Sequence, residues 1–390
     1  MSFIKRFPTL ASLRCAVMIL SLGLVLTPAS GESDQANGPQ PPLYTVDNAI
    51  SKGVVNARMS LFNATDQKHV LDSIGDIDPG IIYVAYVGVW GEIRQQDLDL
   101  AGHLAAKLRQ RLPHAILGGG INESISLSNP PQSLACGGSL GTRRFVPADM
   151  IDPKQKPLGN TAWLDLANPT ARDYYLCVGT MLIDRGYTLI DFEEHENVIA
   201  HSSSTTHAIK NYVDIMQSLR RYGQSKGLKI YFSGDPANDE TGNELDFAYV
   251  PSRFYHTTFA QKYQNKIARP GIGAGYSYSL SAARVRDVLA ATPRHTRVFF
   301  YVDNWDPKQD DLRRFMELDA ANRRFLIETS ARTAEANGAY FIPSLLHCVG
   351  CIPPEVVGDR NEIRPDGKTE YDAVSCGDLP VIKKALELQR

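Results

Sequence analysis

Short apolar segments alternate with longer amphipathic segments along most of this chain. Each apolar segment ends in polar or turn residues, which is typical of buried parallel strands. The eight segments are 57–63, 80–90, 114–122, 188–194, 229–235, 246–255, 297–305 and 339–347. Strand, helix and strand repeated to eight predict an α/β fold, namely a (β/α)8 TIM barrel. The alternative is an open, doubly wound sheet.

Helical patterns fill most of the gaps between these strands. They cover residues 95–112, 168–186, 206–227, 279–293 and 310–338. In the second of them, Asn168 is the expected N-cap, Pro169 stands in the first turn and Gly186 is the expected C-cap. No helix is evident between the fifth and sixth strands.

The two ends of the chain and one insertion do not follow the alternation. Basic residues and a short apolar run indicate a signal peptide over residues 1–30, followed by a disordered leader over 31–43. Residues 44–390 then form one barrel domain. Its rim insertion spans about 123–165, and a C-terminal loop spans about 348–378. The signal peptide predicts a secreted or periplasmic protein.

Composition excludes two classes of partner. The formal net charge is −2, and it becomes −5 once the three basic residues of the signal peptide are removed. No stripe of Lys and Arg is interleaved with aromatic residues, so we expect neither nucleic acid nor an anionic membrane surface as a partner. No segment after the signal peptide is long and apolar enough to span a membrane.

Five cysteines remain after the signal peptide: Cys136, Cys177, Cys348, Cys351 and Cys376. In an oxidising compartment they favour disulfides, and their odd number leaves one over. We expect Cys376 to pair with Cys348 or Cys351, although the sequence leaves the pairing open.

Acidic residues follow the fourth apolar segment directly. The sequence TLIDFEEHE runs from Thr188 to Glu196. Because side chains alternate along a strand, Asp191 and Glu193 are expected on one face and Glu194 on the other. Two carboxyl groups at the C-terminal end of a barrel strand favour catalysis over packing, since unpaired carboxylates are costly to bury. The alternative is a solvated acidic loop.

The C-terminal ends of the other strands carry amides, aromatic rings and further carboxylates. These types suit a sugar, because aromatic rings stack on its faces while amides and carboxylates bind its hydroxyls. The expected substrate-binding residues are Trp90, Glu92, Asn122, Asp235, Tyr255, His256, Asn304, Trp305 and His347. Asp191 and Glu193 are the expected catalytic pair, because glycosidic bonds are cleaved by paired carboxyl groups.

Two segments resemble secreted glycoside-hydrolase barrels: DRGYTLIDFEE (184–194) and WLDLANPTARDYYL (163–176). In the chitinase-like family the fourth strand carries three Asp before its Glu. This chain matches the last two positions, Asp191 and Glu193, and has Leu189 at an earlier one. The resemblance implies Glu193 as the general acid and Asp191 as its modulator. The pattern of other retaining barrels pairs Glu193 with Asp303 instead.

Other chemistries have less support in the sequence. GGGIN (118–122) lacks the turn of a dinucleotide site, and no serine stands in a nucleophile elbow. The first strand lacks the histidines of a metal-dependent hydrolase, although His195, His256 and His347 stand at strand ends. We therefore predict a hydrolase of oligo- or polysaccharides without a metal or an organic cofactor. The alternative is a non-catalytic carbohydrate-binding barrel or, with less support, a metal-dependent hydrolase or phosphodiesterase.

Overall fold

The structure is a computed structural model. It describes residues 43–57, 64–87, 95–157, 159–192, 194–237, 240–252, 266–268, 276–302, 315, 318–348, 370–373 and 376–390. The predicted signal peptide and the predicted leader, apart from its last residue, lie outside these residues. No helix of the described part is long and apolar enough to cross a membrane.

Strands and helices alternate in the described part as the sequence predicts. The strands are β1 (Val54–Asn56), β2 (Ile81–Val87), β3 (Ile116–Ile121), β4 (Ser124–Ser126), β5 (Gln132–Ala135), β6 (Thr142–Phe145), β7 (Thr161–Trp163), β8 (Leu189–Phe192), β9 (Tyr231–Gly234), β10 (Phe247–Pro251), β11 (Lys266–Ala268), β12 (Tyr276–Tyr278), β13 (Arg297–Tyr301), β14 (Tyr340–Ile342), β15 (Leu346–Cys348) and β16 (Glu370–Asp372). The helices are α1 (Val46–Lys52), α2 (Ala64–Ile77), α3 (Gln95–Arg111), α4 (Pro169–Asp184), α5 (His195–His201), α6 (Thr205–Ser225), α7 (Glu240–Glu244), α8 (Ala282–Ala290), α9 (Ala320–Glu335) and α10 (Leu379–Leu388).

Eight parallel strands form one sheet in the order β1-β2-β3-β8-β9-β10-β13-β14. The sheet closes where Asn56 bridges Ser344 in parallel. Where the first and last strands meet, the backbone N–H of Asn56 donates to Pro343 O at 3.2 Å, and the backbone N–H of Leu345 donates to Asn56 O at 2.8 Å. The predicted (β/α)8 barrel is therefore confirmed, and the open sheet is not formed.

The first strand of the barrel differs from the prediction. We expected it at 57–63, but the strand paired with β2 is Val54–Asn56. Gly53, with φ of +108°, ends α1 and turns the chain directly into two β-branched valines. A strand of three residues is too short for an alternating pattern, so the longer segment downstream dominated the prediction.

The side chains of the barrel strands fall into two clusters. One fills the interior and contains Val54, Ile81, Ile116, Leu189, Tyr231, Phe247, Phe299 and Ile342, with Ala49 and Ile50 of α1 packed against them. The other lies between the strands and the surrounding helices, and it contains the alternate residues such as Ile190, Phe192 and Phe232. This alternation fixes which side chains point into the barrel.

The glycines of GGGIN lie within β3 rather than in a turn. A Cβ added at Gly118 would stand 3.2 Å from the Leu189 side chain and 3.3 Å from the Tyr83 ring. On the outer face, a Cβ at Gly119 would stand 3.2 Å from Leu182 and Tyr187. The glycines therefore let large neighbours pack on both faces of β3.

The start of α4 confirms the predicted cap, since the Asn168 side chain accepts from Thr170 N at 2.8 Å. Between the fifth and sixth barrel strands the structure has the short helix α7, which the sequence did not indicate. Likewise, α5 begins within the acidic segment itself, three residues after β8 ends.

The insertion over 123–165 contains two antiparallel ribbons. One pairs β4 with β7, and the other pairs β5 with β6. A disulfide joins Cys136, directly after β5, to Cys177 on α4. The sequence analysis had not proposed this pair, and our expectation for Cys376 stays a prediction because Cys351 lies outside the described residues. In the C-terminal region, β15 pairs with β16.

Candidate active site

Asp191 lies inside the barrel at the C-terminal end of β8. It follows Leu189 of the interior cluster by two residues and is 1% exposed. Its Oδ1 accepts a hydrogen bond of 2.7 Å from the Ser233 hydroxyl on β9, the neighbouring strand. On the other side Asp191 pairs with Gly120 of β3, which has no side chain to crowd it. The C-terminal face of the barrel therefore holds a buried carboxyl group with a defined hydrogen-bond donor.

Many of the predicted site residues lie outside the part of the chain that the structure describes. They are Trp90, Glu92, Glu193, Tyr255, His256, Asp303, Asn304 and Trp305. His347 lies in β15, opposite Tyr371. For these positions the assignments made from the sequence stay predictions.

His195 links α5 to the loop that follows β9. The backbone N–H of Asp235 donates to His195 Nδ1 at 3.1 Å. Because Nδ1 accepts, the proton of the neutral ring is on Nε2, which lies 3.3 Å from Thr241 Oγ1 on α7. His195 is 2% exposed, and a Cβ at Gly234 would stand 2.8 Å from its Nδ1. Gly234 therefore makes room for the ring.

Tyr212 of α6 packs edge-on against His195, with 5.7 Å between the ring centroids. Burial raises the pKa of the Tyr212 hydroxyl well above its usual value. Tyr175 raises the pKa further, and so do the negative charges of Glu123 and Asp235. Two carboxylates, after the ends of β3 and β9, thus act electrostatically on the Tyr212 hydroxyl. This hydroxyl stays protonated at neutral pH.

Asn122 follows β3 directly and is buried. Its Oδ1 accepts from Ser124 N at 3.3 Å and lies 3.5 Å from Ser124 Oγ. This is the geometry of an Asx turn, which directs the chain from β3 into β4. Asn122 therefore orients the first ribbon of the insertion at the rim of the barrel.

Three stacked tyrosines, from β2, β10 and β13, lie in the interior of the barrel. Tyr249 lies between Tyr83, with centroids 4.6 Å apart, and Tyr301, at 3.9 Å. Asn56 Nδ2 donates to the Tyr249 hydroxyl at 2.8 Å. The sequence analysis did not single out these residues. Each of these tyrosines lies within an apolar strand segment of the sequence, but alternation alone does not say which tyrosines meet.

Among the described residues, no group of three or more His, Cys, Asp or Glu side chains could hold a metal ion.

Comparisons with known proteins give no relative by sequence, since no family model and no curated protein matches the chain. Solved structures with a similar fold include Amy13B of Eubacterium rectale, at 11% identity and a TM-score of 0.48 over 86% of this chain and 76% of that one. A family 5 xyloglucanase from Paenibacillus pabuli matches at 9% identity and a TM-score of 0.44 over 86% and 99%. The glycoside hydrolase domain of PelA from Pseudomonas aeruginosa matches at 10% identity and a TM-score of 0.39 over 75% and 94%. At these identities the likeness concerns the fold alone.

Proposed function

We propose that this protein is an exported carbohydrate-active hydrolase that cleaves glycosidic bonds. The proposal is carried by the buried carboxyl group of Asp191 at the C-terminal end of β8. Active sites of (β/α)8 enzymes lie at this end of the strands. Burying a carboxyl group costs free energy that an apolar residue would not cost, so its presence favours a chemical role.

Glu193 is the proposed general acid. It stands two residues after Asp191 in the sequence, and Phe192 between them packs in the outer cluster. In this role the acid protonates the glycosidic oxygen as the bond breaks, while a second carboxylate acts as nucleophile or base. Asp191, held by Ser233, is the neighbour that keeps a proton on the acid, and Asp303 is the proposed second carboxylate.

Reducing-end release from starch, xyloglucan and glycol chitin tests the proposal. We expect Glu193→Gln to lower kcat by at least about 100-fold, the usual effect of losing a general acid. Asp191→Asn and Asp303→Asn should also lose activity. The matched control is Glu335→Gln, an exposed residue at the end of α9, which leads into the opposite end of the barrel.

Full activity in Glu193→Gln and Asp303→Asn would overturn the assignment of these residues. If the wild type cleaves none of the three polymers but is retarded by one of them in an affinity gel, the barrel binds carbohydrate without hydrolysing it.

A further inference from the structure

Trp163 stands on the rim of the barrel and was not among the residues chosen from the sequence. It ends β7, and its partner across the ribbon is Ser124 of β4. Trp163 N donates to Gln155 and Leu164 N donates to Glu123 O, so Trp163 and Ser124 form a pair without mutual backbone hydrogen bonds. Side chains at such pairs lie closest together.

The position of Trp163 relative to the strand ends follows from its neighbours. Ser124 is held by Asn122, directly after β3. On another side, the Trp163 ring stacks on His201, with centroids 5.4 Å apart and planes 22° apart. His201 ends α5, the helix that follows β8. Trp163 therefore lies at the rim near the C-terminal ends of β3, which Asn122 follows, and of β8, which carries Asp191.

The Gln155 side chain holds the backbone of Trp163 in place. Its Oε1 accepts from Trp163 N at 2.7 Å, while its Nε2 donates to Trp163 O and to His201 O, both at 3.3 Å. The ribbon and α5 are thus joined at the position of the indole. An aromatic ring fixed before binding loses little conformational entropy when a ligand stacks on it.

Neutral polar side chains lie beside Trp163 in the same ribbon of the insertion. Asn160 Nδ2 donates to Ser126 Oγ at 3.1 Å and to Ser128 Oγ at 2.6 Å. Asn160 and Ser128 are exposed, while Trp163 and Ser126 are partly exposed. We call Trp163, Thr161, Ser126, Ser128 and Asn160 the ribbon face.

None of the five side chains of the ribbon face is charged, which favours a neutral occupant. Nucleic acid would require cationic groups to neutralise its phosphates. A protein partner would require a larger apolar area than one indole provides. A sugar chain needs an aromatic plane for one ring and hydroxyl and amide groups for its hydroxyls.

We infer that the ribbon face is an accessory binding site for a neutral polysaccharide, in which one sugar ring stacks on Trp163. The inference rests on the proposed function, because the bound chain is taken to be the substrate polymer. The site increases affinity for long chains that extend from the barrel mouth over the rim.

Affinity gel electrophoresis of the full chain in starch, xyloglucan and glycol chitin tests this inference without requiring cleavage. We expect Trp163→Ala to weaken retardation by the bound polymer about tenfold, as for truncation of a central aromatic contact. Trp163→Tyr should restore most of it. The matched control is Tyr44→Ala, which removes another partly exposed ring. Its centroid lies 5.4 Å from that of His114, at a tilt of 43°, and both residues stand at the opposite end of the barrel, before β1 and β3.

Kinetics supply a second readout. Trp163→Ala should raise KM for the polymer with kcat unchanged, and it should leave a short oligosaccharide unaffected. Equal retardation of wild type and Trp163→Ala, or no retardation of the wild type by any of the three polymers, overturns the accessory site. Retardation that depends on Trp163 in a protein that cleaves nothing overturns the hydrolase proposal and leaves this site standing.

Discussion

Gly234 is predicted to be required for the stability of the fold, because it faces the buried ring of His195. The backbone of Gly234 is ordinary strand, so Gly234→Ala causes no conformational strain of its own. The new methyl group would instead stand 2.8 Å from His195 Nδ1 and 3.2 Å from Phe192 O. The ring must move, and the hydrogen bond of 3.1 Å from Asp235 N is lost with it.

The expected cost follows from these two effects. Overpacking of a buried site costs about 1–3 kcal/mol. The lost hydrogen bond adds about 0.5–1.5 kcal/mol. We therefore expect Gly234→Ala to lower the free energy of unfolding by about 2–4 kcal/mol, measured by urea denaturation.

A double-mutant cycle with His195→Ala identifies the cause. Without the imidazole, the methyl group of Ala at position 234 enters vacant space, so the double variant should be no less stable than His195→Ala alone. The coupling energy should then equal the cost of Gly234→Ala, about 2–4 kcal/mol. If the costs of Gly234→Ala and His195→Ala simply add in the double variant, the contact with the imidazole is not the cause of the instability.

A control is Gly75→Ala in α2, where the nearest atom is Arg111 Nη1 at 3.7 Å. This substitution should be neutral or stabilising by about 0.5–1 kcal/mol.

Two further predictions concern stability. Replacing both Cys136 and Cys177 by Ala opens a loop of sequence separation 41, which should destabilise the fold by up to about 4 kcal/mol in urea; an unchanged midpoint would contradict the disulfide. Hydrogen bonds from Arg332 and Lys384 lower the pKa of Glu328 from its ordinary value of 4.5. Because a lowered pKa stabilises the fold only above the unfolded value, Glu328→Gln should cost at most about 1 kcal/mol at pH 7, and the difference should shrink as the pH falls below about 4.5. A difference that is constant down to pH 3 would count against this ion pair.

The order of strands and helices could be predicted from the sequence because each element has its own period of apolar residues. Alternation also predicted that Asp191 and Glu193 share one face of their strand, since side chains on a strand switch faces at every residue. The cap at Asn168 is equally local, because its side chain bonds to an amide only two residues away. Such features depend on near neighbours in the chain.

Contacts between distant segments required the tertiary structure. The partner of Asp191 is Ser233, 42 residues away, and the register of β8 against β9 decides that contact. Cys136 meets Cys177 because the insertion folds back on α4, which no spacing between cysteines reveals. The first barrel strand was missed for a related reason: three residues carry no period, and only pairing with β2 and β14 makes them a strand.

The sequence by itself therefore determined the fold class and which residues of β8 share a face, because both follow from periodicity. The tertiary structure decided what meets that carboxyl group, which ring Gly234 must accommodate and where Trp163 stands on the rim. These contacts arise from packing between segments that are far apart in the chain. The local pattern of apolar and polar residues carries no information on which distant segments meet.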